Sequence, residues 1–158
     1  MKIKKERNRR NRARQERFFK GEKIISQRKC VGKPVFSYSD FDCYVTQTYF
    51  LIKTDRWNLR FLTGLLNTSL IAFWLHEHGK MQGENYQVDK VPLMGIPLVR
   101  PTLEQEAPII ALVDAILAAK KADPNADTSA LEAEIDEKVF DLYGLTPEER
   151  EIVKGIVK

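Results

Sequence analysis

Short hydrophobic stretches and turn residues alternate in the part of the chain between residues 23 and 53. The stretches are rich in β-branched and aromatic residues, and Gly, Pro, Ser and Asp separate them. This pattern is typical of β-strands, because branched and aromatic side chains pack well on a pleated surface. The three predicted strands are KIISQRKC (23–30), KPVFSY (33–38) and CYVTQTYFLIK (43–53).

Helical spacing of the hydrophobic residues begins after the third predicted strand. In RWNLRFLTGLL (56–66), leucines recur at three- and four-residue intervals, which predicts a helix with one apolar face. Asn67 is expected to end this helix and to cap a second one, whose apolar face begins at Leu70. The segment VPLMGIPLVRP (91–101) is predicted to be an edge strand, because Pro cannot donate to a central ladder.

The last third of the chain carries the hydrophobic spacing of helices. Two stripes, residues 109–117 and 131–142, flank a turn-rich loop. Pro108 is expected in the first turn of the first helix, and Gly144 is expected to stop the second. TPEE (146–149) has the spacing of a capping box and predicts the start of a third helix. These elements predict an α+β fold, in which a small mixed sheet with packed helices precedes a C-terminal helical hairpin or tail.

Charge is distributed unevenly along the 158 residues, although the net charge is only +4. Residues 1–23 carry a net +8, residues 24–101 carry +3, and residues 102–158 carry −7. A basic arm therefore precedes a mildly basic body and an acidic tail. Such an asymmetry indicates a polyanionic partner at the basic end.

Composition restricts the classes of protein to which the chain can belong. No apolar run approaches the ~18 residues of a membrane span, and no apolar signal region follows the charged N-terminus. The two cysteines, Cys30 and Cys43, fit free thiols in a cytoplasmic protein.

The sequence predicts no catalytic site and no metal site. His76 and His78 stand two residues apart, whereas two metal ligands on one helix face need a four-residue spacing. Glycine-rich phosphate loops and a nucleophile elbow are both missing from the sequence. The acidic cluster that begins at Asp136 is interpreted as a solvated helix face rather than as a nuclease site.

The basic arm is the first candidate for binding nucleic acid. It contains Arg12, Arg14 and Arg17, and arginine binds phosphate bidentately while keeping its charge. The alternative is a solubilising terminus, because basic runs are common and weakly specific.

A polar stretch after the second predicted helix, GKMQGENYQ (79–87), is the second candidate. Its Gln and Asn side chains can bind adenine bidentately, and Lys can bind guanine. Gly79 and Gly83 would let the backbone approach a ligand closely. The alternative is an ordinary polar loop. The side chains predicted to contact DNA here and beside the first strand are Gln27, Arg28, Lys29, Lys33, Lys80, Gln82 and Asn85.

Two long segments, residues 21–53 and 61–101, resemble the TaqI-like C-terminal specificity domain. This domain is the target recognition domain of type II restriction-modification adenine methyltransferases. Thr68 stands where the family usually has Ser, which is a mild departure. The shared elements are a strand ending in Arg28, the Leu65–Thr68 segment LLNT, Gly79–Lys80 and Ile96–Pro97. The helical C-terminal third also looks like the end of these enzymes.

The resemblance implies that this chain recognises DNA and that a second domain carries out catalysis. Residues 1–22 would be the basic run-in from a missing N-terminal catalytic domain, residues 23–101 the recognition domain, and residues 102–158 a C-terminal helical region. The missing domain would bind S-adenosylmethionine and methylate adenine, and the parent enzyme could also carry an endonuclease. The chain itself would hold no cofactor and would not be an enzyme, and its partner would be double-stranded DNA.

Two alternatives remain open from the sequence. A domain like that of a type I restriction specificity subunit would use its helical tail to pair with another protein. An RNA-binding protein would instead use the arginine-rich arm.

Overall fold

The computed structural model describes residues 15–156, which fold into two small sheets and six helices. A short 3-10 turn at Glu16–Phe18 precedes the first strand. The six strands are β1 (Lys23–Gln27), β2 (Lys29–Val31), β3 (Phe36–Ser39), β4 (Tyr49–Ile52), β5 (Lys80–Gln82) and β6 (Asn85–Gln87). The α+β class that the sequence predicts is confirmed.

The helices lie between the strands and in the C-terminal third. Among residues 15–156, no helix is both long enough and apolar enough to cross a bilayer. The six helices are α1 (Leu59–Leu66), α2 (Ser69–His78), α3 (Lys90–Met94), α4 (Leu103–Ala122), α5 (Ser129–Tyr143) and α6 (Pro147–Ile156).

The strands form two antiparallel sheets of three strands each. The first sheet has the order β3-β1-β4, and the second has the order β2-β6-β5. Arg28 divides the first predicted strand into β1 and β2 and connects the two sheets. Its N–H donates to the carbonyl of Thr48 at 2.9 Å, and its carbonyl accepts from the N–H of Val88 at 2.8 Å. The chain therefore passes from one sheet to the other through one hydrogen-bonded residue.

Helix α1 lies at the centre of the core, where it contacts β1, β3, α4 and α5. Seven of its eight residues are buried, and Asn58 caps its start by accepting from two free amides. Gly64 lets α4 approach closely, because an added Cβ would lie 2.9 Å from a methyl of Val113 and 3.0 Å from one of Ile109. A glycine here therefore lets the C-terminal helices pack closely against α1.

The corner between α1 and α2 uses two adjacent polar residues. Thr68, not Asn67, is the N-cap of α2, and its hydroxyl accepts from the N–H of Ile71 at 3.4 Å. Asn67 ends α1 as expected, but its side chain turns towards β3 and pairs with Phe36. The sequence prediction of a corner is confirmed, whereas the predicted cap is wrong by one residue.

The C-terminal helices pack on α1 and α2 of the same chain. The predicted capping box of α6 is confirmed, since Thr146 and Glu149 exchange hydrogen bonds of 2.8 and 3.3 Å. Gly144 ends α5 with a φ of 67°, a left-handed conformation that favours glycine. Pro108 lies inside α4 rather than in its first turn, because the helix already begins at Leu103 behind the cap Thr102.

One strand prediction is wrong, and another is too long. The segment 91–101 contains no strand; its first part belongs to the short helix α3. Pro92 is compatible with this helix, because it falls in the first turn, where no backbone amide has an intrahelical acceptor. The third predicted strand is also shorter, since only Tyr49–Ile52 of residues 43–53 pairs with β1.

The sequence places Asp136 on a solvated helix face, but the structure does not. The residue is partly buried, and its Oδ1 accepts a hydrogen bond of 2.9 Å from the N–H of Ser69, the first residue of α2. Burial raises the pKa of this carboxyl group. Asp136 therefore supports the start of a helix in the other half of the chain.

Candidate nucleic-acid interface

The second sheet buries one face and exposes the other. Cys30 and Tyr86 are buried in the core, and Met81 packs against it. Burial raises the pKa of the Tyr86 hydroxyl. We call the opposite surface the outer face; its side chains are those of Lys29, Val31, Lys80, Gln82, Asn85 and Gln87.

Strand pairing aligns the outer face into two rows that run across β2, β6 and β5. One row consists of Lys29, Gln87 and Lys80, and the other consists of Val31, Asn85 and Gln82. Opposite residues on antiparallel strands have Cβ atoms about 4.5–5.5 Å apart. Five of the six side chains can form hydrogen bonds, and they therefore present a dense array of donors and acceptors to solvent.

A tight turn produces this arrangement. The predicted polar loop is in fact a hairpin, in which Gly83 and Glu84 connect β5 to β6. Gly83 has a φ of 63°, and a glycine in the first central position is typical of a two-residue hairpin turn. Gly79 is also required by local packing, because an added Cβ would lie 2.3 Å from the carbonyl oxygen of Leu75, at the end of α2.

Hydrogen bonds connect the amides of the outer face to one another. Lys29 Nζ lies 3.5 Å from Gln82 Oε1, and Gln82 Nε2 lies 3.3 Å from Gln87 Oε1. Gln87 Nε2 in turn donates to both carboxylate oxygens of Asp89, at 3.3 and 3.2 Å. Because each of the two glutamine oxygens accepts from a defined donor, the chain of bonds fixes the orientation of both glutamine amides.

Asp89 also holds two cations at the edge of the outer face. Its carboxylate lies 3.4 Å from the guanidinium of Arg28 and 4.0 Å from Lys80 Nζ. The Arg28 guanidinium additionally packs over the ring of Phe50, 5.1 Å from its centre. The Asp89 side chain is only 22% exposed, so it pairs with these groups from beneath the outer face.

Asn85 differs from the two glutamines. Within residues 15–156, no hydrogen bond involves its side-chain amide, and the residue is exposed. Its donor and acceptor groups both remain available for an external ligand. Asn85 lies between Val31 and Gln82 in its row, which places it at the middle of the sheet.

The structure brings together five of the predicted contact residues. Lys29, Lys80, Gln82 and Asn85 lie in the second sheet, and Arg28 lies at its edge. Gln27 is exposed at the end of β1, in the first sheet. Lys33 lies elsewhere, since its ammonium pairs with Glu132 of α5 at 3.2 Å.

Lys33 and Glu132 border a cleft of about 360 Å³ between β3 and the C-terminal helices. The cleft is mainly apolar, and residues of β3, α1, α4 and α5 line it.

Only one predicted arginine of the arm lies in the described part of the chain. Arg17 belongs to the 3-10 turn, its guanidinium lies 5.1 Å from the centre of the Phe18 ring, and its carbonyl accepts from Lys53 Nζ at 3.1 Å. Arg12 and Arg14 lie outside the described residues.

Sequence reasoning missed Val31 and Asp89. Valine is expected in a core, and the exposure of Val31 becomes evident only when Cys30 is recognised as the inward residue of β2. Asp89 lies two residues beyond the polar stretch 79–87, and no sequence pattern links it to Arg28. Its contacts to Arg28 depend on the pairing of strands that are distant in sequence.

Metal-ligating residues are dispersed in the part of the chain that the structure describes. No group of three or more His, Cys, Asp or Glu side chains there is arranged to hold a metal ion. His76 Nδ1 lies 2.8 Å from the carboxylate of Glu77, and the His78 ring stacks on Trp74 at a centroid distance of 3.7 Å. The histidines thus have neighbours within their own helix.

Comparison with known proteins relates this fold to restriction-modification enzymes. Residues 1–98, more than half of the chain, match the TaqI-like C-terminal specificity domain. The structure is also similar to that of the type IIL restriction-modification enzyme MmeI in complex with DNA, with a TM-score of 0.70 at 15% sequence identity. This similarity covers 87% of this chain but only 20% of the MmeI chain. No curated protein matches the sequence. The chain belongs to the TaqI-like C-terminal specificity domains, the DNA-recognition modules of restriction-modification enzymes.

Proposed function

We propose that the outer face enters the major groove of double-stranded DNA and recognises a short target sequence. The observation that carries this proposal is the alignment of five hydrogen-bonding side chains on one exposed sheet face. Folding alone does not require such an array. The DNA-bound state of the structurally similar restriction-modification enzyme further supports DNA as the ligand.

The size of the sheet suits the major groove. Adjacent strands lie about 4.8 Å apart, so the backbones of β2 and β5 are separated by roughly 10 Å. The major groove is about 12 Å wide and admits β-ribbons. The narrow β5–β6 hairpin with its two-residue turn is the part of the sheet best suited to enter it.

Individual residues then have distinct roles. Asn85 and Gln82 would bind adenine through its N6 and N7 atoms, which Asn and Gln contact bidentately. Lys29 and Lys80 would bind guanine or a phosphate of the groove wall. Arg28 would contact the backbone from the sheet edge.

Five further predicted residues would supply contacts outside the groove. Gln27 and Lys33 lie off the outer face, and with Arg17 they would contact phosphates. The same role is predicted for Arg12 and Arg14. Such contacts position a protein on DNA without carrying sequence information.

We further propose that the chain acts with a methyltransferase domain. In this arrangement, residues 23–101 recognise the target, residues 102–158 form a helical support, and residues 1–22 lead from the catalytic domain. That second domain would bind S-adenosylmethionine and methylate adenine, and a nuclease could act in the same enzyme. Since the DNA target lies in the prokaryotic cytoplasm, the module would work there.

The packing of the C-terminal helices weighs against the alternative of a type I specificity subunit. In that alternative, the helical tail pairs with another protein. Here α4 and α5 contact α1, and α6 contacts α2, so the tail already has partners within its own chain.

Selection from a randomised duplex library tests the proposal. The chain is incubated with the library at moderate salt, and the bound DNA is sequenced. We expect the enrichment of one short motif. Salt-dependent binding with no enriched motif would contradict sequence recognition and would indicate that phosphate contacts alone carry the affinity.

Deletion of residues 1–17 separates DNA recognition from RNA binding by the arm. If the outer face binds DNA, the deleted chain still prefers the selected motif, although its total affinity falls. Loss of all nucleic-acid binding, together with preference of the intact chain for RNA, would support the arm as the binding element instead.

A further inference from the structure

Val31 is the single purely hydrocarbon side chain among the six that define the outer face. It is 89% exposed, so its isopropyl group contributes little to the core. An exposed valine needs no explanation by itself, because apolar groups cover much of any protein surface. The position of this valine within the rows of the sheet is what indicates a role.

The register places Val31 directly opposite Asn85, and Gln82 follows on the next strand. The proposed function assigns these two amides to adenine. In the major groove, adenine presents N6 and N7, and its partner thymine presents O4 and a 5-methyl group. An apolar side chain beside an adenine-binding amide therefore meets a surface on which a methyl group is the distinguishing apolar feature.

We propose that Val31 contacts the 5-methyl group of a thymine in the target and thereby selects that base. This inference rests on the proposed function and assigns the chemical class of one recognised base. The rest of the outer face cannot serve this purpose, because its five other side chains end in amides or ammonium groups.

The surroundings of Val31 fit the methyl group of a base better than they fit a protein partner. Protein interfaces have apolar centres formed by several side chains, and their charged residues are depleted. Val31 instead stands in a face that carries Lys29 and Lys80, with Arg28 at its edge. A single hydrocarbon group in cationic and amide surroundings is complementary to a methylated base edge.

Deoxyuridine substitution tests the inference, because uracil differs from thymine only by the missing methyl group. Each thymine of the selected duplex is replaced in turn, and the affinity of the intact chain is measured. We expect one position at which the wild-type protein binds about four-fold more weakly, the loss that corresponds to burying roughly one methyl group. Val31→Ala should bind the thymine and uracil duplexes equally at that position.

Two controls make the result specific. Val35→Ala removes the same atoms from a half-exposed valine that borders the cleft beside β3, and it should retain the thymine preference. The urea unfolding of Val31→Ala should match that of the wild type, because Val31 is 89% exposed, and this confirms that the variant is folded.

Four results would overturn the inference. The selected site could contain no thymine, no thymine could be sensitive to uracil, the sensitivity could persist in Val31→Ala, or Val35→Ala could remove it equally. Failure of the proposed function itself is recognised earlier, because the library selection would then yield no motif in which to place uracil.

Discussion

The side chain of Asn67 pairs with the backbone of Phe36 through both of its polar atoms. Asn67 Nδ2 donates to the Phe36 carbonyl at 2.7 Å, and Asn67 Oδ1 accepts from the Phe36 N–H at 3.0 Å. The same Nδ2 also donates to the carbonyl of Thr63 at 2.8 Å. One amide therefore completes the free edge of β3 and joins the first sheet to the end of α1.

Replacing Asn67 should destabilise the fold strongly. Asn67→Ala leaves the backbone groups of Phe36 without these partners, in a region where Phe36 itself is only 2% exposed. We expect a loss of about 2–3 kcal/mol in the free energy of unfolding, measured with urea. Asn125→Ala, in an exposed loop, serves as the matched control and should change stability by less than about 0.5 kcal/mol. An equally small effect of Asn67→Ala would contradict the structural role.

Asp136 predicts a pH dependence of stability. Burial raises its pKa in the folded state above the ordinary value of about 3.9, although the hydrogen bonds from Ser69 oppose this effect. The folded state therefore binds this proton more tightly than the unfolded state does. The contribution of Asp136 to stability is greatest below about pH 3.9 and declines as pH rises through the raised folded value.

Asp136→Asn isolates this effect, because the amide oxygen can still accept from Ser69 while the charge is removed. Urea unfolding between pH 3 and 7 should show the variant gaining stability relative to wild type as pH rises. Asp136→Ala should instead lose about 1 kcal/mol even where the wild-type carboxyl is protonated, since it removes the acceptor. A difference between wild type and Asp136→Asn that stays flat or falls with pH would contradict the assignment.

Local chemistry explains which parts of the fold could be predicted from sequence. The helix stop at Gly144 and the capping box at Thr146 and Glu149 depend on neighbouring residues, and both are found in the structure. The failures depend on contacts between distant segments. The burial of Asp136 requires α5 to pack on α2, and no local pattern contains that information.

In the candidate interface, too, the sequence predicted the local features but not the contacts between distant segments. The residue types of the polar stretch 79–87 indicated hydrogen bonding to bases, but not the hairpin that carries them. Alignment of Lys29 with Gln87 and Lys80 results from pairing β2 with β6, a strand more than fifty residues away that also pairs with β5. Val31 became part of the interface only through this pairing.

Asp89 is predicted to lower the affinity for every DNA duplex and to support the preference for the target sequence. Asp89→Asn removes the negative charge near Arg28 and Lys80 while keeping an acceptor for Gln87. We expect tighter binding to every duplex, with a dependence on salt that is steeper by up to about 0.9 logarithmic units for each cation freed to meet a phosphate.

Asp89→Ala serves as the comparison for this prediction. It also removes the acceptor for Gln87, so the amide orientations on the outer face loosen, and preference for the selected motif should fall. Titration of the selected and random duplexes at several salt concentrations distinguishes the two variants. Identical behaviour of the two variants on both duplexes would contradict a positioning role for Asp89.

The most direct test of sequence recognition by the outer face is the ratio of affinities for the selected duplex and for a scrambled duplex of equal composition. Each good bidentate contact to a base contributes about 1–3 kcal/mol of discrimination. The double variant Gln82→Ala/Asn85→Ala should therefore lower this ratio at least ten-fold and leave scrambled-duplex binding nearly unchanged. Gln27→Ala, a glutamine outside the outer face, should preserve the ratio. Equal weakening of both duplexes by the double variant, or an unchanged ratio, would contradict the account.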